Sequence, residues 1–94
     1  MLKVSEWNLM DYLKTEKDIQ GYLEAAFAED DAQYMVRALG NAAKARRLMS
    51  KAAKKAGVAR ESLYRSLSKT GKPQFSTVVS VIHSLGYRLA LTRA

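Results

Sequence analysis

The sequence of 94 residues has room for one domain. It contains one histidine and no cysteine. The absence of cysteine excludes a disulfide framework and a thiolate metal site. No apolar stretch approaches the ~18 to 20 residues of a membrane span, and the N-terminus lacks the pattern of a signal peptide, so we expect a cytoplasmic protein with no membrane partner. No residue pattern typical of an active site occurs, and we expect no enzymatic activity, no metal and no cofactor.

The net charge of +7 is divided unevenly along the chain. Residues 1–36 hold eight acidic against three basic side chains, a balance of −5. Residues 37–94 hold thirteen basic side chains against one acidic side chain, a balance of +12. This asymmetry predicts two surfaces, a basic one for a polyanion such as nucleic acid and an acidic one for a basic protein.

The spacing of apolar residues predicts an all-α fold with five helices. The first helix covers roughly residues 16–28 and begins at a capping box formed by Thr15 and Asp18. The second covers about residues 31–46, with Asp31 as its N-cap.

The three remaining predicted helices lie in the basic part of the chain. A short helix over 49–57 is capped by Ser50 and ends at Gly57, whose missing Cβ permits a left-handed turn. Another helix follows at once over 58–67. After a segment rich in turn residues, the last helix covers 76–86 and is capped by its first residue, a serine.

Beyond the last helix, apolar and polar residues alternate, which predicts a short C-terminal β-strand over 87–94. Its partner is either the symmetry mate in a dimer or the extended Val4–Trp7 segment, and the sequence does not decide between them. We therefore expect a single domain, 1–94. It comprises an acidic N-terminal extension with the first helix (1–36), a core (37–86) and the strand.

The stretch 49–67 has the spacing of a helix-turn-helix. Such a DNA-reading pair of helices needs a small residue at the crossing, a glycine in the turn, and apolar residues just after the turn and inside the second helix. Ala53, Gly57, Val58 and Leu63 meet these needs. The alternative is an ordinary pair of packed helices that does not bind DNA. The outward-facing residues help to decide between the two interpretations.

Outward positions of the predicted second helix carry side chains that can read base edges. Arginine donates paired hydrogen bonds to guanine, and glutamate accepts from cytosine. The predicted base-reading residues are Arg60, Glu61, Tyr64 and Arg65. Cations and hydroxyls around them are typical of phosphate contacts. The predicted phosphate contacts are Ser50, Lys51, Ser62, Lys69 and Lys72.

Several segments together resemble a known family. They are Tyr12–Glu16, Tyr22–Ala26, Ala38–Gly40, Ala43–Arg46, Arg60–Arg65, Pro73–Phe75 and Leu85–Gly86. Over about residues 10–90 the chain resembles addiction-module antidote proteins of the HigA-like, Xre/Cro type, which have a lambda repressor-like helix-turn-helix domain. It departs from the family at Ala59, where a serine or threonine commonly caps the recognition helix.

The resemblance implies an antitoxin of a type II toxin-antitoxin module. Such a protein is a homodimer that binds an inverted repeat in operator DNA, represses its own operon and so associates with the nucleoid. The resemblance also implies that it neutralises a small basic toxin of the RelE/ParE superfamily, HigB-like in type.

The acidic N-terminal third fits such a toxin, because complementary charge speeds the capture of a basic protein. We predict a toxin contact with aromatic anchors and carboxylates: Trp7, Tyr12, Glu16, Asp18, Glu24, Glu29, Asp30 and Asp31. The alternative is that these acids cap helices and hydrate the surface, with the tryptophan folded onto the body.

Two other functions would use the same basic charges. A free-standing phage or chromosomal Cro-like repressor would bind DNA in the same way without a toxin, and an adjacent gene for a small basic protein would distinguish the two. An RNA- or ribosome-binding protein fits less well, because Tyr64 is the only aromatic residue among the basic side chains.

Overall fold

The computed structural model describes the backbone of residues 6–94 and the side chains from residue 9 onward. Within this part of the chain the protein consists of six helices. They are α1 (Glu6–Tyr12), α2 (Glu16–Ala28), α3 (Ala32–Ala45), α4 (Met49–Ala56), α5 (Arg60–Ser66) and α6 (Phe75–Ser84). None of these six has the length and hydrophobicity needed to span a bilayer.

The predicted number of five helices was wrong, because α1 had not been foreseen. It includes Trp7, which we had placed in an extended segment beginning at Val4, a residue outside the described part of the chain. Leu9 and Leu13 are four residues apart, and the amide of Leu13 donates to the carbonyl of Leu9 at 2.9 Å. Both leucines pack on the core, which joins this first helix to the body.

The predicted strand over 87–94 was not confirmed, since these residues form no regular secondary structure in the single chain. A strand is stable only when a neighbouring strand takes up its backbone hydrogen bonds. The described residues contain no strand that can serve as this partner, and α1 occupies the end of the segment that had been considered for it. Alternation of apolar and polar residues therefore does not suffice to form a strand here.

The caps predicted for α2 and α3 were confirmed. Thr15 Oγ1 accepts from the amide of Asp18 at 3.1 Å, and Asp18 Oδ2 accepts from the amide of Thr15 at 3.1 Å. At α3, Asp31 Oδ1 accepts from the amides of Gln33 and Tyr34 at 3.0 and 3.2 Å. These bonds satisfy amides that a helix start otherwise leaves unpaired.

The serine caps predicted for α4 and α6 were wrong. α4 begins at Met49, so Ser50 lies inside its first turn, and α6 begins at Phe75, so Ser76 does too. Neither helix has a side-chain hydrogen bond at its N-cap. At α4 the reason is burial, because Met49 is only 2% exposed and packs as part of the helix.

Small residues allow the helices to pack closely around a single core. The larger core side chains are Leu13, Ile19, Leu23, Leu39, Met49, Leu63, Leu67, Val81, Ile82 and Leu85, and alanines of α2, α3 and α4 complete the core. A Cβ on Gly40 of α3 would lie 3.1 Å from the Cβ of Leu67, so a glycine there brings α3 close to the end of α5. This packing places the C-terminal end of α3 beside the α4–α5 pair.

Candidate nucleic-acid interface

α4 and α5 are joined by a tight turn. Gly57 ends α4 with φ +72°, and the amide of Val58 donates to the carbonyl of Ala53 at 3.0 Å. Ala53 and Leu63 are buried, while Val58 is 37% exposed. Ala59 is the N-cap of α5 without a side-chain hydrogen bond, as its lack of a hydroxyl predicts. The turn thus sets the start of α5 outside the core.

The side chain of Arg60, at the start of α5, is directed along its own helix. Its Nη2 donates to the Tyr64 hydroxyl at 3.2 Å, and its guanidinium carbon lies 5.4 Å from the centroid of the Tyr64 ring. The bond to the hydroxyl raises the pKa of Arg60. The Nζ atom of Lys44 lies 5.6 Å from the same ring. Tyr64 is therefore half-buried and within about 6 Å of two cations, whereas the sequence predicts an outward-facing tyrosine.

The other predicted base-reading residues, Glu61 and Arg65, are exposed. Nη2 of Arg65 lies 3.5 Å from Oγ of Ser62, a weak hydrogen bond within one turn of the helix. Because this contact is long, it leaves the guanidinium able to turn toward a ligand. Arg60 and Arg65 thus differ in how firmly their side chains are held.

Four of the five predicted phosphate contacts are exposed cations or hydroxyls. Ser50 and Lys51 lie in the first turn of α4, Lys69 and Lys72 lie in the loop between α5 and α6, and Ser62 is half-buried. Gln33 ties this loop to α3, because its Nε2 donates to the carbonyls of Lys69 and Gly71 at 2.9 and 3.0 Å. Nothing in the sequence pattern had singled out this glutamine.

A basic cleft of about 320 Å³ lies where α3 ends, α4 begins and α5 passes. Its described lining residues are Lys44, Arg47, Met49, Ser50, Arg60 and Tyr64. We name these residues the basic cleft. Lys44 and Arg47 had not been predicted as site residues, although the basic run from residue 44 to 47 at the end of a helix is a visible signal.

The predicted toxin-contact residues do not form one cluster. α2 is 13 residues long, or roughly 20 Å at ~1.5 Å per residue, and the acids lie at its opposite ends. Glu16 forms an ion pair with Arg46. Asp18 and Asp31 are engaged as caps, as the alternative interpretation held.

The remaining acids are exposed. They are Glu24, Glu29 and Asp30, and no described hydrogen bond or ion pair within residues 9–94 engages their carboxylates. Tyr12 is 64% exposed, and the side chain of Trp7 lies outside the described residues. Among the described members of the predicted set, these three acids and Tyr12 are exposed side chains that no described side-chain hydrogen bond or ion pair engages.

A model of the protein family described as "Probable addiction module antidote protein" matches residues 3–93 of the chain. The chain belongs to this antidote family. A protein of Haemophilus influenzae, described as an uncharacterized protein, is 36% identical over 92 residues, which are 98% of this chain and 94% of that protein. No solved structure matches the chain. Membership of an antidote family implies a cognate toxin as partner.

The antidote protein also has a more apolar cleft, of about 300 Å³, lined by α2, α3, α6 and the residues after α6. Leu23, Phe27 and Leu39 contribute its apolar wall. Glu24 lines the same cleft, which places one of the accessible acids beside apolar surface. A partner bound at Glu24 would therefore meet both charge and hydrophobic area.

Proposed function

We propose that this antidote protein binds duplex operator DNA through α4 and α5 as a homodimer, represses its own operon, and neutralises a small basic toxin of the RelE/ParE superfamily. The DNA-binding part of the proposal rests above all on the basic character of α4, α5 and the neighbouring end of α3. Arg60 and Arg47 line one cleft there. Arg65 and Lys69, which follow Arg60 in the sequence, are exposed. A polyanion neutralises such a surface and releases counterions when it binds.

In this proposal α5 is the recognition helix of an Xre/Cro-type helix-turn-helix. Arg65 donates to guanine in the major groove, and Glu61 accepts from cytosine. Lys51, Lys69 and Lys72 contact phosphates, which position the protein without reading sequence. A homodimer would place two recognition helices ~34 Å apart on an inverted repeat.

The DNA-binding proposal is tested with the full chain and the fragment immediately upstream of its own gene, against a scrambled fragment of equal length. Arg65→Ala is expected to lower affinity for the upstream fragment by about tenfold or more and to change the affinity for the scrambled one much less. Lys69→Ala is expected to lower the affinity for both fragments by the same factor. Equal losses on both fragments for both variants would refute this division of roles.

The toxin-binding part of the proposal rests on the antidote family and on the accessible acids of α2 and the following turn. Carboxylates attract a basic partner and orient it during association. The test is to purify the tagged protein from its native locus with both flanking genes and to identify whatever stays bound. A stoichiometric small basic protein that is toxic alone would support the proposal.

Recovery of the protein alone, still bound to its upstream fragment, would contradict toxin binding. The protein would then be a free-standing repressor of the Cro-like kind. The two halves of the proposal are thus separately testable.

A further inference from the structure

We propose that the basic cleft binds a phosphate group, and that Arg60 is one of its ligands and not a base-reading residue. The identification of that phosphate as part of a DNA backbone rests on the proposed function. The cleft itself is argued from the charges and backbone of the described residues.

The lining of the basic cleft is the first observation. It brings two arginines, Arg47 after α3 and Arg60 of α5, to one cavity of about 320 Å³. The described lining includes no carboxylate. Ser50, in the first turn of α4, adds a hydroxyl. Guanidinium groups bind phosphate oxygens through paired hydrogen bonds, so this lining suits a phosphate group.

The backbone of Arg47 is the second observation. Its φ is +56°, and its amide donates to the carbonyl of Lys44 at 3.0 Å while the amide of Leu48 donates to that of Ala43 at 2.8 Å. This is the Schellman ending of a helix, in which glycine adopts the left-handed position without strain. An arginine in this conformation lowers stability relative to glycine, and because Arg47 lines the cleft, we infer a use for its side chain there.

The orientation of Arg60 is the third observation. Its bond to the Tyr64 hydroxyl and its position over the Tyr64 ring hold the guanidinium beside Tyr64, which also lines the cleft. A guanidinium has five N–H donors, and the bond to Tyr64 uses one of them. The others remain to donate to phosphate oxygens. Tyr64 acts here as a positioning residue.

Arg47→Gly provides a test in which loss of folding cannot be mistaken for loss of binding. Glycine relieves the left-handed backbone, so we expect the variant to unfold at a higher temperature than the parent protein. We also expect its affinity for the upstream DNA fragment to fall about three- to tenfold, with a salt slope smaller by about one. Affinity and salt slope equal to those of the parent would overturn the cleft as a phosphate site.

Two control variants match this change. Asp30→Gly relieves the same backbone conformation, φ +56°, at the end of α2, and it should leave DNA affinity undiminished. Lys55→Gln removes one positive charge from the exposed end of α4, outside the cleft lining, and should weaken binding less than Arg47→Gly. A loss with Lys55→Gln equal to that with Arg47→Gly would mean that net charge alone decides affinity, which would also overturn the proposal.

The role of Arg60 is tested by comparing sequences. Arg60→Gln should lower the affinity for the upstream fragment and for the scrambled fragment by the same factor. Tyr64→Phe should also lower both affinities equally, but by a smaller factor. If Arg60→Gln instead weakened only the upstream fragment, the arginine would be a base-reading residue and the assignment would be wrong.

Addition of inorganic phosphate distinguishes the two sources of the ligand, the DNA backbone and free phosphate. NMR amide signals of residues 49–51 should shift on addition of phosphate, more than with chloride at equal ionic strength, and this response should be lost in Arg47→Gly. If phosphate shifts these signals but the protein does not bind DNA, the cleft is a site for free phosphate, and the DNA-binding proposal is refuted. DNA binding that Arg47→Gly leaves unchanged, with no phosphate response, would refute the cleft and keep the DNA proposal.

Discussion

Gly21 and Gly71 have opposite surroundings, and they predict opposite effects of the same substitution. A Cβ on Gly21, in the exposed middle of α2, would meet nothing within 4 Å, so Gly21→Ala should raise the free energy of unfolding by about 0.5–1 kcal/mol through helix propensity. A Cβ on Gly71 would overlap the carbonyl oxygens of Ser66 and Arg65. Gly71→Ala should therefore lower the free energy of unfolding by roughly 1–3 kcal/mol. Urea unfolding of both variants measures this, and shifts of the same sign would contradict it.

The Asp18 carboxylate predicts a pH dependence of stability in the acidic range. Its hydrogen bonds from the backbone and side chain of Thr15 and from the backbone of Lys14 lower its pKa below the ordinary 3.8. A carboxyl with a lowered pKa in the folded state stabilises the protein above 3.8, and this contribution is lost as the pH falls through the folded value. Asp18→Asn removes the titration, so the variant should lose less stability on acidification than the parent. Parallel curves of unfolding free energy against pH would show that this bond does not contribute.

At the scale of the elements, helices with local signals were predictable from the sequence. Capping residues such as Thr15 and Asp31 and the glycine after α4 act within a few residues of their own position, so their patterns are legible in the chain. α1 and the missing strand depend on contacts with distant residues. Phe75 shows the same limit, because it continues the apolar spacing of α6 and yet is 72% exposed.

The candidate interface was predictable only in part for the same reason. The sequence indicated that Arg60 and Arg65 lie near the start of α5, but both were expected to face outward in the same way. The bond of Arg60 to Tyr64 depends on side-chain rotamers that sequence spacing does not determine. Arg47 was missed because its place in the basic cleft depends on a left-handed backbone at a residue that is not glycine.

α2 and its C-terminal turn predict how charge controls toxin capture. Glu24 and Glu29 are exposed, so Glu24→Lys combined with Glu29→Lys should slow association with the basic toxin that we propose by about tenfold at low salt. Asp30 is left unchanged because its φ is +56°, a conformation that aspartate tolerates better than lysine. Stopped-flow or surface-binding kinetics provide the measurement.

The control for this element lies on the same helix. Lys17 is exposed in α2, and Lys17→Glu should speed association, since it adds an acid. DNA affinity of the double variant should not fall, which shows that its fold is intact. An association rate that responds to neither change would mean that the toxin contacts another surface.

Across the whole molecule, we expect the two charge balances to serve different partners. In the DNA complex that we propose, the acidic side chains of residues 1–36 would repel the phosphates over the distances that salt does not screen, ~10 Å at moderate ionic strength. The basic residues of α3, α4 and α5 would attract them. In the free protein, therefore, we expect the acidic part to oppose the DNA binding that the basic part favours.

A basic toxin bound to the acidic part should remove this opposition. We expect the antidote–toxin complex to bind the upstream DNA fragment more tightly than the antidote alone at low salt, with the advantage fading as salt rises, because the effect is long-range electrostatics. Titration of fluorescent DNA with both forms over a salt series measures it. By linkage, DNA should then strengthen toxin binding by the same factor. An affinity lowered by toxin at every salt concentration would place the toxin over the DNA-binding surface, near the basic cleft, and not over α2.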